Sequence, residues 1–225
     1  EIGLTNGRLW ELQNIPFLQA TPSSANNHIV TRRVFNNQPK FEFYGYEQKK
    51  EKLAWVAIVR SLIRFYKPEN PTPKICQILN LFAQPFVDCC LLYQENLAVS
   101  HSSENINPSC QVEPHINYLM TALDLYDIPT VARPLLPPFL RVQSEITNNN
   151  IMVLKFCKSD HYIAVIGYQK SSLSERSDLD QVIVWDPNQD SQTFGLSIIP
   201  YEKLSQYSYF DQQLDVESYV AIRLP

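Results

Sequence analysis

Glycine, methionine and positive charge are all scarce in this sequence of 225 residues. Its five glycines form neither the glycine-rich loop that cradles a phosphate nor the Gly-x-Ser-x-Gly turn that presents a nucleophilic serine. A formal net charge of −4 supplies no general attraction to nucleic acid or to anionic lipid. The sequence therefore predicts neither a phosphate-binding loop nor a nucleic-acid partner.

Long hydrophobic runs are also missing, so no membrane span is predicted. The most apolar stretch, Ile75 to Tyr93, is interrupted by Gln77, Asn80, Gln84, Pro85 and Asp88. No signal peptide is visible, and secretion and a cytoplasmic location both stay open. A hydrophobic fraction of 44% in a chain of this length is enough to build a core without a metal or disulfide staple.

Five cysteines leave three interpretations open. A disulfide-linked subdomain would suit an oxidising compartment, whereas buried free thiols would suit a cytosolic protein. The third interpretation is a metal site formed by Cys89, Cys90 and Cys110 with His101 and His115. These spacings lack the paired short loops of structural zinc, so we expect no metal and no cofactor. The candidate disulfide or thiol cluster comprises Cys76, Cys89, Cys90 and Cys110, with Cys157 apart from them.

Helical periodicity is concentrated in the first two thirds of the chain. Apolar residues recur every three or four positions from Ala54 to Tyr66, where Pro68 ends the pattern, and the width of the apolar face predicts a buried central helix. Further helices are predicted over 72–82, 115–125 and 138–148. Strand-like runs follow at 151–157, 161–168, 181–185 and 218–224, with one or two helical turns at 200–207.

Helices followed by strands predict an α+β protein. We divide it into an N-terminal extension (residues 1–40) and a main domain (residues 41–225), with a helical lobe at about 41–148 and a sheet lobe at about 149–225. Short strands are expected at 8–12 and 40–46. The extension would supply extra strands to the sheet lobe or act as a pro-segment, and extra strands are the favoured interpretation.

Three motifs carry the chemical information. Gln48 stands six residues before Ala54 and Trp55, which begin the central helix. His161 opens a strand, and Asp186 ends the next one. Taken singly, these residues are ordinary surface or core residues, and only their joint order and spacing indicate a site. Cys157 is a poor alternative nucleophile because it precedes His161 by only four residues along the same β region.

In this combination the sequence resembles the papain-like cysteine peptidases. That family places a glutamine six residues before a Cys-Trp pair, a histidine on a strand, and an Asn or Asp near the end of the next strand. The nearest likeness is to small bacterial effector-type and secreted members with Cys-Trp-Ala-Ala, His-Tyr and Asp-Pro motifs. The likeness covers about residues 45–210 and implies a helical lobe packed against an antiparallel sheet or barrel, with the active-site cleft between them.

The resemblance also implies roles for individual residues. Position 54 is that of the nucleophilic cysteine at a helix N-terminus, where the helix dipole favours the thiolate. His161 would be the general base, Asp186 would orient its ring, and Gln48 would donate to the oxyanion. Trp55 follows the nucleophile position and is a candidate for the substrate cleft. The implied partner is a peptide or protein substrate, whereas the oligomeric state cannot be read from the sequence.

Ala54 breaks the pattern, because alanine carries no nucleophile. The expected function is therefore that of a papain-like cysteine peptidase that is inactive as written. One explanation is a deliberate Cys→Ala substitution, which we favour because Gln48, His161 and Asp186 all remain at family positions. The alternative is a natural pseudopeptidase that acts as a peptide-binding module.

Overall fold

The computed structural model describes most of the chain after residue 51 and short strands before it. The described residues are 2–4, 9–10, 18–23, 27–32, 42–46, 52–83, 85, 87–92, 108–110, 112–148, 150–157, 159–169, 180–188, 196–209 and 212–223. The α-helices are α1 (Ala54–Tyr66), α2 (Ile75–Asn80), α3 (Ile116–Asp124) and α4 (Phe139–Thr147). Short 3₁₀ turns cover Pro108–Cys110 and Tyr201–Gln206.

The strands of the first part of the chain are β1 (Ile2–Leu4), β2 (Leu9–Trp10), β3 (Leu18–Ser23), β4 (Asn27–Arg32) and β5 (Glu42–Tyr46). Those of the later part are β6 (Thr130–Pro134), β7 (Met152–Phe156), β8 (Tyr162–Gln169), β9 (Gln181–Trp185), β10 (Leu196–Pro200), β11 (Tyr207–Tyr209), β12 (Gln212–Leu214) and β13 (Val216–Ile222). Strands β3, β4 and β5 form a separate sheet, and β11 pairs with β12.

The main sheet is antiparallel and runs in the order β10-β9-β8-β7-β13-β6. Its central strand, β8, has an unusual set of neighbours. Strand β7 pairs with residues 162–165 of β8, and β1 pairs with residues 167–169. Strand β9 lies along the other side of β8, with a register shift between Val165 and Gly167. Strand β1 thus pairs with the part of this edge of β8 that β7 does not reach.

Both faces of this sheet are buried, which explains the nearly continuous apolar runs in β7, β8 and β9. On β8, Tyr162 and Ala164 belong to the core that contains α1, whereas Ile163 and Val165 belong to a second core on the opposite face. The second core also contains Val142 and Ile146 of α4. Two layers of helix therefore enclose one layer of sheet.

Helix α1 is the centre of the first core. Its residues from Ala54 to Val59 are all buried, as are Leu62 and Ile63. This arrangement explains the wide apolar face of the sequence, because α1 contacts α2, α3 and β8. We expect truncation of Leu62 to alanine to cost about 2–5 kcal/mol in the free energy of unfolding, as for other fully buried leucines.

The α+β prediction is confirmed, with a buried central helix packed against an antiparallel sheet. The helix predicted from Ala54 to Tyr66 has those bounds in the structure. Strands β6 and β10 were not anticipated. In β6, Thr130 and Val131 are only partly buried and the residues from Ala132 to Pro134 are exposed. The strand therefore has no buried face that would require the alternation of apolar and polar residues by which a strand is predicted.

Candidate functional site

The start of α1 has a distinctive backbone. Lys52 adopts a left-handed conformation with φ 67°, which is uncommon for a residue other than glycine. Leu53 is the cap residue and provides no side-chain hydrogen bond, as expected for a leucine. Ala54 is the first helical residue and is only 1% exposed. The turn at Lys52 therefore directs the chain into the core, where the helix begins.

His161 and Asp186 form a buried polar pair at one end of the main sheet. His161 Nε2 and Asp186 Oδ2 are 2.9 Å apart, and each residue is 2% exposed. His161 immediately precedes β8, and Asp186 immediately follows β9. Because these two antiparallel strands are neighbours, the start of one lies beside the end of the other. The sheet register thus brings together two residues that are 25 positions apart.

Further contacts fix both side chains of this pair. Asp186 Oδ1 accepts a hydrogen bond of 2.8 Å from the Asn188 N–H, which leaves Oδ2 directed at the imidazole. The His161 ring stacks on Phe156, with centroids 5.9 Å apart and an interplanar angle of 20°. The His161 N–H is 3.2 Å from Ser159 Oγ and donates to it. A carboxylate that orients an imidazole is the usual arrangement of a general base and its partner.

An ion pair joins the helix start to the beginning of β8. Lys52 Nζ lies 3.5 Å from Asp160 Oδ2, and both side chains are substantially exposed. Lys52 is two residues before Ala54, and Asp160 is directly before His161. Ala54 and Tyr162 also belong to the same core. The structure therefore brings the N-terminal end of α1 to the end of the sheet that carries the histidine–aspartate pair.

The remaining residues predicted for the site are Gln48 and Trp55. Gln48 lies outside the described residues. Trp55 is fully buried, with its ring centroid 5.7 Å from that of Phe82 and 6.4 Å from that of Tyr118. Its indole packs in the core around α1.

Four of the cysteines are paired in the helical lobe. The disulfides are Cys76–Cys90 and Cys89–Cys110, so two adjacent residues are linked to different partners. Cys89, like Cys76 and Cys110, is buried in the core around α1. These bonds join α2, the helical turn at 89–92 and the 3₁₀ turn at Pro108–Cys110.

Asparagine and aspartate side chains support the turn that carries the two adjacent cysteines. Asn80 Oδ1 accepts a hydrogen bond of 2.6 Å from the Cys89 N–H. Asp88 Oδ1 accepts from the Cys90 N–H at 2.8 Å, as a helix N-cap does. Hydrogen bonds to its carboxylate lower the pKa of Asp88. The side-chain amide of Asn80 has the larger effect, and the Cys90 N–H has the next largest.

Three further features of the described part of the chain concern metal ligands, the remaining thiol and the length of the helices. No group of three or more His, Cys, Asp or Glu residues lies close enough there to hold a metal ion. Cys157 is a free thiol, partly exposed, and its N–H donates to the Asp215 carbonyl at 2.7 Å. Among the described helices, none is long and apolar enough to cross a membrane.

Sequence reasoning did not single out Lys52 or Asp160. Asp160 could have been noticed because it adjoins His161. The role of Lys52 could not be predicted, because no sequence pattern in residues 47–53 indicates that a lysine adopts the left-handed conformation. The ion pair depends on the relative placement of two elements more than a hundred residues apart.

Comparisons with known proteins give structural likenesses only. No protein-family model and no curated protein sequence matches this chain. One similar solved structure is a double glycine motif protease from an AMS/PCAT transporter, in complex with the leader peptide. It has a TM-score of 0.42 and 13% identity, over 79% of this chain and 89% of that chain. Another is UfSP from C. elegans, with a TM-score of 0.49 and 8% identity, over 80% of this chain and 32% of the UfSP chain. This chain therefore spans about a third of the UfSP chain.

Proposed function

We propose that this chain carries the site of a papain-like cysteine peptidase in which Ala54 occupies the position of the nucleophile. The observation that carries the proposal is the buried His161–Asp186 pair, 2.9 Å apart, at the end of the sheet next to the start of α1. As written, the chain binds a peptide without cleaving it, because no thiol is present to attack the scissile carbonyl.

The chemistry of the pair suits a thiol at position 54. A cysteine in the first turn of α1 lies at the positive end of the helix dipole, which lowers its pKa. Because Nε2 of the His161 ring is paired with Asp186, the other ring nitrogen, Nδ1, would transfer protons to and from the thiol and the substrate. The imidazole would take the thiol proton and later give it to the leaving amine, while Gln48 would donate to the oxyanion.

The experiment is to restore the missing group. An Ala54→Cys variant should react with an epoxide or vinyl-sulfone peptide probe and hydrolyse members of a peptide panel. The unsubstituted chain is a matched control, because it retains Cys157 as its free thiol and differs only at position 54. Probe adducts are located by mass spectrometry of the digested protein.

A second variant tests whether the reaction uses the pair. Ala54→Cys combined with His161→Ala should keep the thiol and lose most of the labelling, since the thiolate loses its base. If the folded Ala54→Cys variant reacts no faster than the unsubstituted chain, the peptidase proposal is wrong. If both cysteine variants react equally, His161 is not the base.

A natural pseudopeptidase is the second candidate, and Ala54 itself favours it. Its function would be to hold a peptide in the cleft. The codon for residue 54 in the parent gene separates the two origins: an alanine codon favours the binding module, and a cysteine codon favours a substituted peptidase. Binding of fluorescence-labelled peptides to the unsubstituted chain would support the proposal that the cleft holds a peptide, whichever origin of Ala54 is correct.

A further inference from the structure

Strand β6 is the last strand of the main sheet, and among the described strands it pairs only with β13. Two hydrogen bonds show which residues face β13: the Arg223 N–H donates to the Pro129 carbonyl at 2.7 Å, and the Leu135 N–H donates to the Glu217 carbonyl at 3.0 Å. Hydrogen-bonded positions alternate along an antiparallel pair, so every second residue from 129 to 135 faces β13. The backbone groups of the residues between them point away from the sheet, namely those of Thr130, Ala132 and Pro134.

This outer edge of β6 is open to solvent. The residues from Ala132 to Pro134 are exposed, and no described backbone group bonds to the outward groups. An exposed edge is a template on which another strand can pair. Proline blunts an edge because it lacks an N–H, but Pro134 still presents its carbonyl. The edge therefore offers two N–H donors, from Thr130 and Ala132, and three carbonyl acceptors.

This set of donors and acceptors is complementary to itself. When two β6 edges pair antiparallel with Ala132 opposite Ala132 of a second copy, these two residues exchange two N–H···O=C bonds. Thr130 of each copy then lies opposite Pro134 of the other and donates to its carbonyl. The four bonds use every outward N–H of both strands. The missing N–H of Pro134 leaves only the Thr130 carbonyl to water.

Exposed leucines stand at the two ends of β6. Leu125, in the turn before the strand, is 60% exposed, and Leu135, directly after it, is 69% exposed. Leu135 also has a φ of 64°, an unfavourable conformation for a bulky residue, and such backbone strain is concentrated at functional positions. Antiparallel pairing brings Leu135 of each copy to the start of the other β6, next to the turn that carries Leu125. The leucines can thus cover one another.

The two ends of β6 also carry charges of opposite sign. Asp124 and Asp127 are exposed before the strand, Arg133 is exposed at its end, and none of the three forms an ion pair with another described residue. Arg141, which is paired with Glu145, adds a further cation after the strand. Antiparallel pairing of two copies brings unlike charges together at both ends. An unrelated peptide would match the hydrogen bonds alone, so the edge fits a second copy best.

We propose that this chain forms a two-fold symmetric dimer in which the two β6 strands pair antiparallel and join the two main sheets. A two-fold contact uses the same surface of both copies, as this self-complementary edge requires. His161 lies at the end of the sheet where β6 ends, because each strand from β8 through β7 and β13 to β6 is antiparallel to the next. The two candidate sites therefore lie at opposite ends of the joined sheet, and the contact covers neither.

The test is sedimentation velocity of the full, disulfide-bonded chain from about 1 to about 300 µM. The mass should rise with concentration from that of one protomer, 26.0 kDa, to twice that value. We expect a dissociation constant on the order of 10 µM, as for other small interfaces. Raising the salt from about 50 to about 500 mM should weaken the dimer several-fold, because the charges at the strand ends are exposed to solvent.

Two substitutions at one position test the strand pairing. Ala132→Pro removes the central N–H of both copies and should raise the dissociation constant at least about tenfold. Ala132→Thr also enlarges the side chain but keeps the N–H, so it is the matched control and should change the constant less than about twofold. Ala132→Pro is expected to fold, since proline is tolerated where an edge strand faces solvent.

Variants at the ends of the strand test the leucines and the charges. Leu135→Asn should weaken the dimer about tenfold without lowering the melting temperature of the monomer, because asparagine tolerates the left-handed conformation. Leu91→Asn is its control: Leu91 is 61% exposed, but it lies in the turn that carries the disulfides and should not affect the dimer. Arg133→Glu should weaken the dimer more at low salt than at high salt.

Each outcome decides the inference. A chain that stays monomeric at about 300 µM overturns it, as does a dimer that Ala132→Pro leaves unchanged, since another surface would then be used. Assembly that continues beyond two copies overturns the two-fold arrangement. If Ala132→Pro fails to fold, Leu135→Asn decides: an unchanged dissociation constant overturns the inference. Probe labelling of the Ala54→Cys variant tests the peptidase proposal separately, because the dimer does not depend on it.

Discussion

Two buried carboxylates, Asp186 and Glu145, have different kinds of partner at the scale of single residues. Glu145 is ion-paired with Arg141 at 2.5 Å and Arg223 at 2.9 Å and accepts a hydrogen bond from Asn150 at 2.8 Å. Those contacts join α4 to the C-terminal strand, so they are structural. Asp186 instead faces an imidazole at the edge of the proposed cleft. This contrast provides a control for a test of the pair.

In the Ala54→Cys background, Asp186→Ala should lower kcat for a peptide substrate by about 10²-fold, because the imidazole loses the group that fixes its orientation. Arg223→Met in the same background should lower stability, since Glu145 loses one of its two arginines, and leave kcat unchanged. Steady-state kinetics and thermal melts measure both. A kcat that falls equally in the two variants would show that Asp186 acts through stability alone.

At the scale of elements, the two disulfides and β1 are the parts that connect remote segments. The disulfides join cysteines that are 14 and 21 positions apart along the chain, and they link α2, the helical turn at 89–92 and the 3₁₀ turn at Pro108–Cys110. Strand β1 adds a segment from the N-terminal extension to the middle of the main sheet. Both features support elements that are too short to be stable alone.

Replacing Cys76 and Cys90 together by serine should lower the free energy of unfolding by about 2–4 kcal/mol, because the unfolded chain regains loop entropy. A Cys157→Ser variant is the matched control and should have a much smaller effect, since that thiol forms no bond. Urea denaturation measures the difference. Equal stability of the two variants under oxidising conditions would contradict a structural role for the Cys76–Cys90 bond.

Deleting residues 1–40 should lower the melting temperature, because β8 then loses the neighbour that pairs with its residues 167–169. A pro-segment that blocks the cleft predicts the opposite result: higher peptide-probe reactivity of the Ala54→Cys variant with little change in stability. Melting curves and labelling rates of the full and shortened chains separate the two. Increased labelling at unchanged stability would refute the extra-strand interpretation.

At the scale of the whole molecule, the sequence was informative wherever a signal was local. Spacing and Pro68 defined α1, and the β-rich runs on either side of a turn placed His161 and Asp186 at strand ends. The pairing of adjacent cysteines was out of reach, because partner choice depends on where α2 lies relative to the turn at 89–92. The alignment of Lys155 with Tyr162 on one side and Ser218 on the other was equally hidden, because it depends on strand register.

The main sheet is buried on both faces, and this burial predicts which strands exchange their amide protons most slowly. Amide protons of β7, β8 and β9 should exchange most slowly, because these central strands are hydrogen-bonded on both edges and buried on both faces. Those of β6, which pairs with β13 on one side and carries exposed residues, should exchange faster. Hydrogen–deuterium exchange with mass spectrometry measures this order. Protection of β6 equal to that of β8 would contradict the arrangement.

The adjacent cysteines have a practical consequence for making this protein. Four half-cystines can pair in three ways, and Cys89 and Cys90 are neighbours that can exchange partners with little displacement of the chain. A preparation that is merely oxidised will therefore contain shuffled isomers. Production with a disulfide isomerase or a glutathione buffer, followed by peptide mapping of the bonds, is the step on which every binding measurement depends.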